Sequence, residues 1–474
     1  MLFTNGNYFI FLGIVFFAYW LTASQRRVPV WLLLVASYYF YALWNPKLLL
    51  LVLLISTVDY LTALALGSAK SLPRRKLLLA LSILTDIGAL FTFKYFNFFS
   101  SSLSELLGRF GWHSSPFVFS GLVLPLGISF ITFRSLSYVI DVYRGNFTPT
   151  RNYLDYLAFV AFFPTVIAGP IVRASELLPQ FRQGPKLTNE SGAEALFLIV
   201  LGLIKKIAIA DFLGNNLVNR VFDEPQFYSS LETLAGIYGY ALQLYFDFSA
   251  YTDIAIGSAL LLGIRLPENF NAPYRARDLR DFWKRWHITL SRWLFDYVYV
   301  AIGGLRKRRF NLYRNLVLTF LIGGLWHGPA WTFVLWGALH GLGLSLNHWW
   351  AAWRKRRGVK RSEQGWRKAI AVFITFNFVC LTWVVFRAES LSGAWAVLKR
   401  LFALKFAAGN LPISTLIVLT VGYFGVWAPQ RIWDKVLTGW ARLPSPVQAM
   451  MILGVALTLY YLSGTEVKFI YGTF

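Results

Sequence analysis

Charge is what this sequence has least of. Only 14% of its 474 residues are Asp, Glu, Lys or Arg, against about a quarter in a soluble globule. Its apolar surface therefore has nowhere to go but lipid. Cysteine is nearly absent. The single Cys380 excludes a disulfide framework and a four-cysteine zinc site, and inside an apolar run it reads as a small core residue. There are five histidines, His113, His287, His327, His340 and His348. No glycine-rich phosphate loop, serine elbow or HExxH pair occurs, so the chemistries built on those devices are set aside. No cleavable signal is visible either. Residues 1–7 carry no basic residue and the pair Arg26–Arg27 follows the first apolar run, which predicts a retained first helix with its N-terminus outside.

What the sequence has in abundance is apolar length, with 57% hydrophobic and 18% aromatic residues. Runs of about 17–25 residues span the hydrocarbon at 1.5 Å per residue. Such runs or near-runs recur at 8–23, 48–66, 77–98, 193–209, 312–326, 330–346, 369–385, 411–427 and 447–462. Backbone groups in lipid must be paired within their own segment, and barrel alternation is absent, so the runs predict helices. The expectation is an all-α polytopic membrane protein, a single domain over 1–474, crossing roughly ten or more times. The formal charge of +24 sits between the apolar runs. It is read as topogenic, with the basic blocks at 26–27, 70–76, 306–309 and 354–361 in the cytoplasm, and not as a nucleic-acid surface. The 19 Trp and 24 Tyr fit interfacial belts.

Ionisable residues inside spans are costly and mark candidate sites. His327 closes an apolar run in Gly323-Gly324-Leu325-Trp326-His327-Gly328-Pro329-Ala330. It lies thirteen residues from Arg314, or roughly 20 Å along a helix, well inside the membrane. An imidazole there suits a general base; it equally suits a structural histidine holding the loose carbonyls of a helical hairpin. His287 lies in Asp281-Phe282-Trp283-Lys284-Arg285-Trp286-His287-Ile288-Thr289-Leu290-Ser291-Arg292-Trp293. At helical spacing Phe282, Trp286, Leu290, Trp293 and Tyr297 form one stripe, opposite Arg277, Arg280, Lys284, His287 and Ser291. That predicts an interfacial amphipathic helix whose cationic face receives either an anionic donor or anionic lipid heads. In Tyr245-Phe246-Asp247-Phe248-Ser249-Ala250-Tyr251-Thr252-Asp253, Asp247 and Tyr251 share a helix face. The carboxylates of Asp247 and Asp253 either orient a histidine or cation or hold helices together. Asp59, Asp86 and Lys94 read as structural pairs.

The stretches Phe93-Lys94-Tyr95-Phe96-Asn97-Phe98, Ala168-Gly169-Pro170-Ile171, Tyr245–Asp253, Asn271-Ala272-Pro273-Tyr274 through Ser291, and Leu325-Trp326-His327-Gly328 together resemble the membrane-bound O-acyltransferase family, most nearly its bacterial alginate O-acetylase type. The resemblance covers most of the chain. It implies an MBOAT-like ring of roughly 10–13 spans with interfacial and re-entrant helices around a central tunnel. It implies transfer of an acyl group from a cytoplasmic thioester to a hydroxyl, with His327 catalytic and His287 the second motif histidine. Lys284, Arg285, Ser291, Trp326, Asp247, Tyr251 and Asp253 would bind the donor or line the tunnel. The C-terminal motif within 464–474, Lys468-Phe469-Ile470-Tyr471-Gly472-Thr473-Phe474, resembles the aromatic tail of related acetylases. By that resemblance Tyr471 carries the acyl group; otherwise it is an interfacial anchor.

The expected function is acetyl transfer from acetyl-CoA, through the bacterial cytoplasmic membrane, toward an extracytoplasmic polysaccharide and a partner acetyltransferase. No bound cofactor or metal is expected. Two alternatives stay open: D-alanyl transfer to teichoic acid, and a transporter using His327 and Asp247 as a proton relay.

Overall fold

The computed structural model describes residues 3–113, 115–119, 121, 124–125, 127–304, 309–359 and 364–462. Tyr471 and the motif at 464–474 lie outside the described residues. All regular structure among the described residues is helical. The chain divides into two compact units, Met1–Ser191 with Ser258–Pro267, and Gly192–Gly257 with Glu268–Phe474.

The first unit contains α1 (Gly6–Leu21), α2 (Val28–Ala42), α3 (Pro46–Ser68), α4 (Leu72–Leu90), α5 (Phe96–Arg109), α6 (Ile128–Arg144), α7 (Tyr153–Ala161) and α8 (Ala174–Arg182). A π-helical turn, Phe91–Tyr95, fuses α4 to α5. Starts are set by local chemistry: Asn45 accepts from the backbone N–H groups of Lys47 and Leu48, and Pro46 fills the first helical position, where its missing donor costs nothing. Helix α1 buries Tyr8, Phe11, Leu12, Val15 and Tyr19 yet exposes Ile10, Ile14, Phe17 and Leu21 by 65–82%. A helix apolar on its outward face needs lipid there.

Several polar side chains inside this unit find protein partners. Asp59 accepts from the Ser82 hydroxyl at 2.6 Å, while Lys94 donates to Ser129 at 3.4 Å. Arg134, fully buried, donates to the carbonyls of Phe159 (3.0 Å) and Val160 (2.7 Å) and to the Thr165 carbonyl (3.1 Å) and hydroxyl (2.8 Å). A guanidinium thus closes the C-terminal end of α7, where orphan carbonyls need a donor.

The remaining helices are α9 (Asn189–Leu203), α10 (Asn219–Asp223), α11 (Ser230–Leu261), α12 (Leu279–Trp283), α13 (Ile288–Trp293), α14 (Arg309–His327), α15 (Trp331–Arg356), α16 (Gly365–Arg387), α17 (Leu391–Leu401), α18 (Ile413–Trp427), α19 (Gln430–Ala441) and α20 (Ser445–Leu462). π-Helical segments Ile204–Asp211 and Leu294–Tyr299 continue α9 and α13.

By length and apolarity, four helical stretches among the described residues qualify as spans on their own: α3, the fused α4–α5, α16 and α20. The α18–α19 pair, bent by 94°, makes a fifth. That is fewer than the sequence runs suggest, for a physical reason. Helices α1 and α2 are shorter than 18 residues. Helices α11, α14 and α15 are long enough but carry Asp247 and Asp253, Arg314 and Asn315, or His340 and His348.

Helices α14 and α15 form a hairpin whose backbones touch. A Cβ on Gly324 would fall on the Phe333 carbonyl, one on Gly337 on the Phe320 carbonyl, and one on Gly341 would meet the Val317 Cα at 2.7 Å. Backbone cannot step aside as a side-chain tip can. Gly337→Ala is therefore expected to lose about 1–3 kcal/mol by overpacking despite alanine's better helix propensity. Gly13→Ala in α1, whose Cβ meets nothing within 4 Å, should not destabilise. Thermal unfolding in detergent measures both; a Gly337→Ala protein as stable as wild type contradicts the hairpin packing.

Candidate active site

The predicted amphipathic helix through His287 is corrected by the structure. Residues 284–287 form a turn between α12 and α13, and His287 sits in the left-handed region at φ 42°. The stripe residues Phe282, Trp286, Leu290, Trp293 and Tyr297 are buried as the spacing predicts, but so is His287, at 0% exposure. It does not share a solvent-facing cationic surface. The cause is tertiary. Asn269 Oδ1 accepts from the Thr289 N–H (3.2 Å) and hydroxyl (2.9 Å) and lies 3.1 Å from His287 Nδ1. The Asn269 carbonyl accepts from Ile288 N–H at 2.9 Å, and the Arg285 carbonyl accepts from Asn271 N–H at 2.9 Å. These bonds draw the chain out of a continuous helix and hold a strained residue in place. His287 lies outside any spanning helix, and burial pushes its pKa down to about 3, so the ring is neutral at physiological pH.

Its predicted companions divide. Lys284 is exposed. Arg285 is held by Asp281 at 2.7 Å and donates to the Asn271 carbonyl at 3.3 Å. Ser291 donates to the Trp286 carbonyl at 3.2 Å, closing the turn.

His327 is the last residue of α14, only 4% exposed, with Gly328 and Pro329 ending the helix behind it. Its ring is walled edge to face by Trp326, Trp336 and Phe386, each with a centroid separation of 5.1 Å. Gly328 is required here, because a Cβ would strike the Phe333 ring. Trp326 contacts both imidazoles: its centroid is 5.1 Å from His327 and 5.9 Å from His287. The structure thus brings His287, Trp326 and His327 into one cluster, with Phe248 of α11 against His287 at 4.7 Å.

A third imidazole, His340, is in the same aromatic cluster, 4.8 Å from Trp336. Trp283 Nε1–H donates to its Nδ1 at 3.3 Å, so Nε2 bears the proton and donates to Thr382 Oγ1 at 2.9 Å; that hydroxyl donates to the Val379 carbonyl at 2.8 Å. Both ring nitrogens are occupied in a closed chain, which makes His340 a structural brace. Sequence position alone does not separate it from His327; its neighbours do.

The α11 carboxylates Asp247 and Asp253 are ion-paired. Asp253 pairs with Lys205 at 2.5 Å, and Asp247 with Lys206 at 2.9 Å; Lys206 also reaches Asp211 at 2.6 Å. Both lysines come from the π-helical segment Ile204–Asp211. Tyr251, on the Asp247 face, is fully buried. Among the described residues no cluster of three or more His, Cys, Asp or Glu could hold a metal.

A multi-pass helical membrane protein with buried imidazoles in an aromatic interior is the class these observations define. The sequence profile of MBOAT, the membrane-bound O-acyltransferase family, matches residues 149–392. The chain is 41% identical over 413 residues to "Probable alginate O-acetylase AlgI" of Pseudomonas aeruginosa, covering 87% of this chain and 76% of that protein. It is 38% identical over 426 residues to the peptidoglycan O-acetyltransferase of Helicobacter pylori, covering 84% and 78%. With the teichoic acid D-alanyltransferase of Streptococcus thermophilus it shares 33% over 282 residues, 55% and 68% of the two chains. This chain belongs to the membrane-bound O-acyltransferase family and is an acyltransferase. The transporter alternative gives way to that membership, and Asp247, salt-bridged to Lys206, is accounted for without a proton relay.

The Lys206–Asp247 pair yields a test. Removing one partner strands a buried charge at a cost of about 3–5 kcal/mol, whereas replacing both is near neutral. Lys206→Met is expected to lose folded protein in detergent-solubilised yield, and Lys206→Met with both Asp247→Leu and Asp211→Leu, which removes the two carboxylates on this lysine, to recover it. A triple variant no better than the single contradicts the ion-pair assignment.

Proposed function

We propose that this protein transfers acetyl groups from cytoplasmic acetyl-CoA toward an extracytoplasmic polysaccharide, with His327 as the general base. The observation that carries this reading is the placement of His327: a buried imidazole at the broken end of α14, inside a family whose named members include alginate and peptidoglycan O-acetyltransferases. A hydroxyl is a poor nucleophile at neutral pH, so a base must take its proton as it attacks the thioester carbonyl. The oxygen–carbon bond forms, the carbon–sulfur bond breaks, and the imidazolium returns the proton to the departing thiolate. His287 is the second imidazole of the site, coupled to the first through Trp326. Lys284, exposed in the α12–α13 turn, suits the anionic coenzyme, and passages from both membrane faces to His327 belong to the proposal.

The acceptor is a glycan hydroxyl, reached either directly or through a partner acetyltransferase outside the membrane. Tyr471 is proposed as the acyl carrier on that side. The chain sits in the bacterial cytoplasmic membrane with its N-terminus outside. Acetyl transfer is favoured over D-alanyl transfer because the likeness to the O-acetylases covers 84–87% of the chain and that to the D-alanyltransferase 55%.

Purified full-length protein with labelled acetyl-CoA tests the assignment. His327→Ala is expected to lower transfer on the order of a hundredfold or more at unchanged abundance and thermal stability, and intact-mass analysis during turnover should show an acetyl ester that Tyr471→Phe removes. Full transfer by a folded His327→Ala protein overturns the assignment. An unmodified tail during turnover overturns the carrier role alone.

A further inference from the structure

We propose that Asn269 is a positioning residue of the acyl-transfer site, holding His287 as the Nδ1–H tautomer so that this ring enters the reaction with an unprotonated Nε2. The proposal rests on the reading of His287 as part of the site. Sequence reasoning did not single out Asn269, which lies just outside the motif beginning at Asn271.

The argument is one of donors and acceptors. A backbone N–H only donates, and that of Thr289 is directed at Asn269 Oδ1 at 3.2 Å; the Thr289 hydroxyl donates to the same oxygen at 2.9 Å. Two donors on one atom fix which end of the amide is oxygen, an assignment otherwise open to exchange. Turning the amide over would set its NH2 group against the Thr289 N–H. The other end gives no competing instruction, because Asn269 Nδ2 has no hydrogen-bond partner in the described protein. His287 Nδ1, 3.1 Å from that oxygen, therefore bears the proton, since a carbonyl oxygen accepts and does not donate. In a neutral imidazole the lone pair is then on Nε2.

The backbone supports the same end. Asn269 also accepts from Ile288 N–H through its carbonyl at 2.9 Å, so one residue bonds to three consecutive positions, 287, 288 and 289. His287 is kept at φ 42°, a conformation that favours glycine and that a side-chain-bearing residue keeps only when its surroundings impose it. Phe248 and Trp326 close on the ring at centroid separations of 4.7 and 5.9 Å, restricting its rotation. Holding the tautomer matters because the opposite one turns the ring from proton acceptor into proton donor at Nε2.

Full-length protein labelled with 15N-histidine, in nanodiscs, tests this directly, with a His287→Gln difference spectrum to assign the resonance. Wild type is expected to show His287 protonated on Nδ1. Asn269→Leu should mix or invert the tautomer and lower kcat on the order of a hundredfold, with KM for acetyl-CoA within about twofold. Asn269→Asp, which keeps an acceptor oxygen, should restore the tautomer and most of the rate. Wild-type His287 protonated on Nε2 overturns the proposal without any Asn269 variant having to fold. Unchanged tautomer and kcat in Asn269→Leu also overturn it. Full transfer by His287→Gln would instead remove His287 from the site, and with it the catalytic meaning of its tautomer.

Discussion

The backbone contact between α14 and α15 is what lets a polar residue sit where His327 does. With Gly324 against the Phe333 carbonyl and Gly337 against the Phe320 carbonyl, the two helices approach more closely than any side chain permits. The turn joining them, Gly328-Pro329-Ala330, is short enough to keep the end of α14 inside the protein. A helix end in lipid would leave carbonyls without donors. Here it is enclosed by Trp336, Phe333 and Phe386, and the imidazole at that end inherits a buried, aromatic environment. Both the chemistry proposed for His327 and its cost to the fold follow from this approach.

The same constraint explains the other buried polar groups. A buried polar group is satisfied from within the protein or pays a desolvation penalty. Arg134 closes the end of α7, His340 sits in a chain from Trp283 to the Val379 carbonyl, and Lys205 and Lys206 neutralise Asp253 and Asp247. Asn269 serves His287: its oxygen takes the Thr289 donors and faces His287 Nδ1, while its NH2 group, like Arg134 Nε, has no hydrogen-bond partner among the described residues.

Much of the helical framework is legible in the sequence because lipid selects for uninterrupted apolar length. The run at 48–66 becomes Pro46–Ser68, 369–385 becomes Gly365–Arg387, and 447–462 becomes Ser445–Leu462. The π-helical turns are not legible, since a wider turn leaves no compositional mark. Nor is the break at His287. The spacing of Phe282, Trp286 and Leu290 is that of one helix, and two short helices joined by a left-handed residue preserve it. What decides between them is Asn269, 18 residues away, and local periodicity cannot report a bond at that distance. The partners of the α11 acids are hidden for the same reason, since Lys205 lies 48 residues from Asp253. His287, Trp326 and His327 are legible together only because the family's motifs mark them; spacing alone leaves base and brace equally open.

The central claim is that the acyl group comes to the His327 ring. A structure of the protein with a thioether analogue of acetyl-CoA, in which the cleavable bond is replaced by an inert one, tests it most directly. The account predicts the acyl-equivalent carbon beside the imidazole, near enough for a hydroxyl oxygen to bridge the two, roughly 3–3.5 Å from each. An analogue bound with that carbon remote from His327, and no space leading to the ring, would contradict it.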